Sequence, residues 1–187
     1  MVAGTDLYFS RYVRPHARAI LKSPHLWLAM LCGLIIVTHG RAYRGFIAPD
    51  IMEVFVNYNF MVFGFTIAAL TIVFAVPTQK FVSFLAEAGS AIPDKVTGPW
   101  EKALFIMSWN GFVHFCALIA SLSVLIFSFL EGSDSKKLAY DIADPVTATV
   151  FFVFVSLQIY ALLQFLASLL SVYFFCAVFI EHAKGAR

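Results

Sequence analysis

Charge is scarce in this sequence: aspartate, glutamate, lysine and arginine together make up 13% of its 187 residues, about half their share in an ordinary soluble domain. Cysteine is scarcer still. Cys32, Cys116 and Cys176 all lie inside apolar runs, where a thiol behaves as a small hydrophobe. No CxxC or His/Cys spacing accompanies them, which excludes a disulfide framework and a zinc site. A net charge of +2, with no basic cluster interleaved with aromatics, excludes nucleic acid as a partner. The sequence also lacks a glycine-rich phosphate loop, a serine elbow and paired intramembrane carboxylates, so it is not expected to be an enzyme. No cofactor is implied.

What replaces charge is apolar bulk: 61% of the residues are hydrophobic and 21 are phenylalanine. A soluble fold of this size cannot hide so much apolar surface. The sequence therefore predicts an all-α, polytopic membrane protein. A transmembrane helix takes ~20 apolar residues, and four segments meet or approach that length, at about 26–40, 53–76, 103–130 and 146–180. Ser23 and Pro24 make a helix start for the first, while Lys22 and Arg41 can snorkel to the two surfaces. Val37-Thr38-His39-Gly40-Arg41 makes a poor cleavage site, so this span is read as retained and not as a signal peptide. The fourth runs uncharged for 35 residues, or ~52 Å as one helix against a hydrocarbon core of ~30 Å. Projection of its end into the cytosol, packed on other parts of the protein, is the expected solution.

The organisation that follows is a basic amphipathic arm, cytosolic or interfacial, over 1–25, a four-helix transmembrane domain over 26–180 and a cytosolic tail over 181–187. Arg11, Arg14, Arg18 and Lys22 recur at helical spacing in the arm, as in a helix lying on lipid, with Pro15 breaking its continuity. Phe81, Phe84 and Leu85 suggest a second interfacial turn. Nine of the thirteen lysines and arginines fall in the arm, the middle loop (Lys80, Lys95, Lys102) and the tail (Lys184, Arg187). The positive-inside rule then places both termini in the cytoplasm, N-in/C-in, and the acidic loop 131–144 outside.

Polar residues at bilayer depth are costly, so their arrangement is informative. On the third span Asn110, His114, Ala117, Ser121 and Ser128 share one helix face. On the fourth, Thr149, Ser156, Tyr160, Gln164, Ser168 and Ser171 do the same. Such stripes either pack helices through interhelical hydrogen bonds or line a water-filled path in an assembly. On the second span Gly64, Ala68, Thr71 and Ala75 form a small-residue stripe, a close helix contact within one chain or between copies. Glu53, Asn57 and Asn59 read as a capped helix start at the interface. His39 lies near the outer end of the first span and His182 near the inner end of the fourth, which leaves only His114 deep inside a span, so a two-histidine haem site is not predicted. His114 is read as a hydrogen-bonding core residue or a protonatable gate.

The stretch Phe60 to Phe81, FMVFGFTIAALTIVFAVPTQKF, resembles the second helix of small bacterial four-span transmembrane proteins, some of which serve as effectors in anti-phage defence operons. It covers about an eighth of the chain and brings no motif from which residue roles follow. The resemblance implies an oligomeric inner-membrane effector or ion-channel-like protein that permeabilises or perturbs the membrane when triggered. Its expected partners are the lipid bilayer, further copies of itself, with a tetramer as the guess, and a cytosolic trigger protein or small ligand. The alternatives are a non-catalytic accessory subunit of a larger membrane complex and a small redox or transport component.

Overall fold

A computed structural model describes residues 14–43, 49–75, 99–130 and 145–185, and every element among them is an α-helix. In chain order these are α1 (Arg14–Leu21), α2 (Pro24–Tyr43), α3 (Pro49–Ala75), α4 (Pro99–Leu130) and α5 (Pro145–Gly185). Proline opens each of the four long helices. At the first helical position its missing N–H is no loss and its fixed φ is already helical. Pro15 likewise falls in the first turn of α1. The expected interfacial turn and the acidic loop lie outside the described residues, as does Arg11, and so do the side chains of Arg14 and Ser128.

Three helices are long and apolar enough to cross a membrane, over Glu53–Ile72, Leu104–Ile126 and Ala148–Ile180. The apolar part of α2, Pro24–His39, is shorter. The helices also begin earlier than hydropathy suggests: α3 starts at Pro49 and α4 at Pro99, because turns rich in charge and proline are helical without being apolar. α5 is one unbroken helix of 41 residues, ~62 Å long, and it takes in most of the expected tail.

Helix directions alternate. Gly33 abuts Ser156 and Val37 packs with Ala148, so α2 and α5 are antiparallel. Met107 and Phe175 share a cluster while Ser121 reaches Gln158, so α4 and α5 are antiparallel too. Ala69 with Met107 and Asn59 with His114 make α3 antiparallel to α4. α5 thus lies between α2 and α4, and α3 packs on the far side of α4 while touching α5 through Phe55–Phe154 and Phe65–Phe165.

Small residues allow this closeness. Ala29, Ala117 and Ala161 are wholly buried where α2, α4 and α5 converge, with Val113 and Tyr160 beside them. Gly111 sits against the Thr66 methyl. Between helices in lipid there is no hydrophobic drive to associate, so tight van der Waals contact at such residues supplies much of the cohesion. The outward surface is the reverse of a soluble protein's: only 22%, 39% and 17% of the three long apolar segments is buried. Trp27, Phe60, Met61, Leu170 and Phe174 stand exposed. Exposed apolar surface on this scale is stable only where hydrocarbon replaces water.

The second-span stripe belongs to that outer surface. Gly64, Ala68, Thr71 and Ala75 are exposed, and nothing lies within 4 Å of a side chain built at Gly64. Thr71 satisfies its hydroxyl on its own helix, donating to the Ile67 carbonyl at 2.9 Å. Among the described residues, the stripe faces no other helix of the chain.

Candidate functional site

The polar residues inside the helices converge on one seam between α3, α4 and α5. Asn59, Asn110, His114 and Ser121 are 0% exposed, Thr66 is 1% and Gln158 is 6%. His114 is ten residues from one end of its apolar segment and twelve from the other, Leu104 and Ile126, hence ~15 and ~18 Å from the two ends. The seam therefore lies near the middle of the apolar layer.

Its hydrogen bonds form a directed chain. Asn59 Nδ2 donates to the Phe55 carbonyl and to Gln158 Oε1, each at 2.8 Å, which fixes the amide so that Oδ1 is left to accept. His114 Nδ1 lies 2.8 Å from that oxygen and must carry the hydrogen, because Asn59 Oδ1 has none to give. Gln158 Nε2 donates to Ser121 Oγ at 3.0 Å and to the Ala117 carbonyl at 3.3 Å. Ser121 in turn donates to the same carbonyl at 2.8 Å. The run His114 to Asn59 to Gln158 to Ser121 thus ties three helices and ends on backbone. One turn away, Asn110 Nδ2 donates to Thr66 Oγ1 at 2.9 Å, and Thr66 donates to the Val62 carbonyl at 2.8 Å.

Three buried atoms along the seam have no hydrogen-bond partner: His114 Nε2, Asn110 Oδ1 and Tyr58 Oη. The imidazole also lies within reach of the Ala161 backbone carbonyl, an acceptor, so with Nδ1 protonated its Nε2 has no donor to answer it. The Tyr58 and Phe165 rings meet the imidazole edge-on, at 5.7 and 6.3 Å between centroids. The arrangement is a polar strip with spare acceptor capacity, walled by aromatic rings.

The two expected stripes divide. The described members of the α4 stripe, Asn110, His114 and Ser121, all turn inward to the seam. The α5 stripe faces away from it, toward α2 and the α4 edge. Tyr160 accepts a hydrogen bond from Trp109 Nε1 at 3.0 Å, and Gln164 and Ser168 are buried. Ser156 is half-buried against Gly33 with its hydroxyl unpaired. Thr149 is exposed and, like half-buried Ser171, donates to its own helix.

Asn59, Thr66 and Gln158 belong to the seam although the sequence reading placed none of them there. Asn59 is not part of a helix start, since α3 begins ten residues earlier at Pro49. Glu53 and Asn57 are exposed, but Asn59 is not. The available signal was the spacing of Asn59, Val62, Thr66 and Ala69, three, four and three residues apart, which is the seam of one helix packed on another. Gln158 stands on the opposite face of α5 from its polar stripe, and only the burial of both faces reveals its role.

A second feature, a largely apolar cleft with cations at its rim, lies near the start of α2. It is open, about 390 Å³ in volume, and is bounded by Lys22 and His25 at the α1–α2 junction, Phe105 and Trp109 on α4, and Tyr160 and Gln164 on α5. The junction is held by Trp27 Nε1, which donates to the Leu21 carbonyl at 2.9 Å. The Ser23 carbonyl accepts the N–H groups of Leu26 and Trp27. Among the described residues, no group of three or more histidine, cysteine, aspartate or glutamate side chains gathers to hold a metal. No protein-family profile, curated protein or solved structure matches this chain.

Proposed function

We propose that this chain is a four-span bacterial inner-membrane protein with both termini cytosolic, which assembles into homo-oligomers and permeabilises the membrane when triggered from the cytosol. The observation that carries the reading is the buried seam of Asn59, His114, Gln158 and Ser121. Polar side chains are seldom kept at this depth without a use. Here they answer one another in the closed bundle yet retain three unpaired atoms, so a shift of α3 or α5 against α4 would trade side-chain partners for water. The seam would then become the wall of a hydrated path, one without a charged ring to impose strong ion selectivity. The exposed stripe Gly64, Ala68, Thr71 and Ala75 supports assembly, since small residues let a helix of another copy approach closely.

Alternating helix directions and the excess of lysine and arginine in the arm, middle loop and tail support the orientation. Reporter fusions at Arg187 and within 131–144 should lie on opposite sides of the membrane, and the same location for both would overturn it. The permeation reading is tested by His114→Leu and Gln158→Leu beside the lipid-facing control Leu162→Ala, in cells taking up an impermeant dye on overexpression. The seam variants should alter dye entry while protein level and particle size in detergent persist, and the control should not. Loss of the particle together with dye entry would make the seam packing alone. That result would favour the second reading, an accessory subunit of a larger membrane complex docked through the exposed α3 stripe.

A further inference from the structure

We propose that the cleft at the α1–α2 junction binds the head group of an anionic phospholipid. Among the described residues the charge of its lining is one-sided: Lys22 supplies a cation, His25 an imidazole, and none is aspartate or glutamate. Arg18 is exposed one turn before Lys22, whose N–H donates to the Arg18 carbonyl at 3.0 Å, so the two cations share a helix face. Tyr160 accepts the Trp109 N–H and is hydrogen-bonded to Gln164, which holds both side chains in place at the floor of the cleft. Cations at the rim of a largely apolar cleft suit an anionic phospholipid whose phosphodiester meets Lys22 and Arg18 while its upper chain carbons enter the cleft.

Depth distinguishes a lipid from a free anion. Lys22 borders the same cleft as Gln164 and Ala167 of α5, and α5 continues apolar for another thirteen residues to Ile180, ~20 Å further. The cleft thus lies beside a hydrocarbon-facing helix surface and not at its end. Exposed Leu21, Trp27 and Leu28 flank the junction and offer a track for acyl chains. The volume of about 390 Å³ holds a head group and the first chain carbons, with the remaining chain lying along that outer surface.

Trp109 lines the cleft and serves as the reporter. Trp27→His, whose Nε2–H can replace the indole N–H on the Leu21 carbonyl, with Trp100→Phe leaves it as the sole tryptophan, since the chain has three. The double variant is reconstituted in phosphatidylcholine vesicles containing either phosphatidylglycerol brominated near the head of its chains or the same fraction of equally brominated phosphatidylcholine. A lysine beside an anionic head group favours it about fivefold, so brominated phosphatidylglycerol should quench Trp109 far more strongly. That excess should vanish in Lys22→Gln, return in Lys22→Arg, and yield to unbrominated phosphatidylglycerol but not to inorganic phosphate. Equal quenching by the two lipids, or quenching indifferent to Lys22→Gln, would overturn the proposal, and displacement by phosphate would make the site one for a free anion. Native mass spectrometry of the unsubstituted chain from mixed-lipid micelles guards against a folding defect of the double variant. Retained phosphatidylglycerol, lost in Lys22→Gln, supports the site, and no preference over phosphatidylcholine counts against it.

Discussion

Replacing Gly33 with leucine is expected to detach α2 from α5, with a loss of about 3 kcal/mol in bundle stability. A β-carbon at Gly33 would collide with Ser156 Oγ and approach Ser156 Cβ and Cα at 3.3 and 3.4 Å. The hydroxyl can rotate away, and it forfeits nothing by doing so because it has no hydrogen-bond partner. Gly33→Ala should therefore cost little, about 1 kcal/mol. Leucine cannot be accommodated by rotation, because its branch must displace the α5 backbone itself. Separation there also opens the contacts on either side, Ala29 against Tyr160 and Ala161 and Val37 against Ala148. Unfolding by titration of a denaturing detergent into a mild one measures the loss. Partial rescue of Gly33→Leu by Ser156→Gly is the specific signature of this contact, and its absence together with a mild effect of leucine would show that the helices can part at this point without penalty.

Asn59→Leu should lower stability by about 2 kcal/mol, the largest effect of any single polar substitution in the seam. The estimate counts two buried groups orphaned at once, His114 Nδ1–H and Gln158 Oε1, each worth about 1 kcal/mol. Gln158→Leu orphans weaker groups, since Ser121 retains its bond to the Ala117 carbonyl and Asn59 Nδ2 its bond to the Phe55 carbonyl. Combining Asn59→Leu with His114→Phe and Gln158→Leu should recover part of the loss, because the partners orphaned by Asn59→Leu are then removed as well. The same detergent titration decides: a triple variant no more stable than Asn59→Leu would mean that shape in the seam, and not hydrogen bonding, sets the cost.

The helical character of the chain was legible without coordinates, since runs of apolar residues interrupted by Pro24, Pro49, Pro99 and Pro145 admit few other structures in a bilayer. Burial of the α4 stripe was legible as well, because helical spacing alone puts Asn110, His114 and Ser121 on one face. Glycine roles were not. Gly64, with the more conspicuous small-residue pattern, faces outward, whereas Gly33, set in an apolar run without such a pattern, packs directly against Ser156 of α5. Hydropathy cannot separate these cases, for lipid and a neighbouring helix present the same apolar surroundings to a side chain.

The sequence by itself determined the all-helical, apolar class of the molecule, the approximate extent of its long apolar helices and the polar faces along them. Those properties depend on each segment's own composition and on the 3.6-residue period. Only the tertiary structure decided which polar face meets which: that Asn59 joins His114, that Gln158 crosses to Ser121, and that Tyr160 and Gln164 turn instead to a cleft below Lys22. The reason is that these pairings depend on the rotation and lateral order of whole helices. In lipid that choice rests on the fit of small residues such as Ala29, Gly33, Ala117 and Ala161, spread across three helices and far apart in the chain.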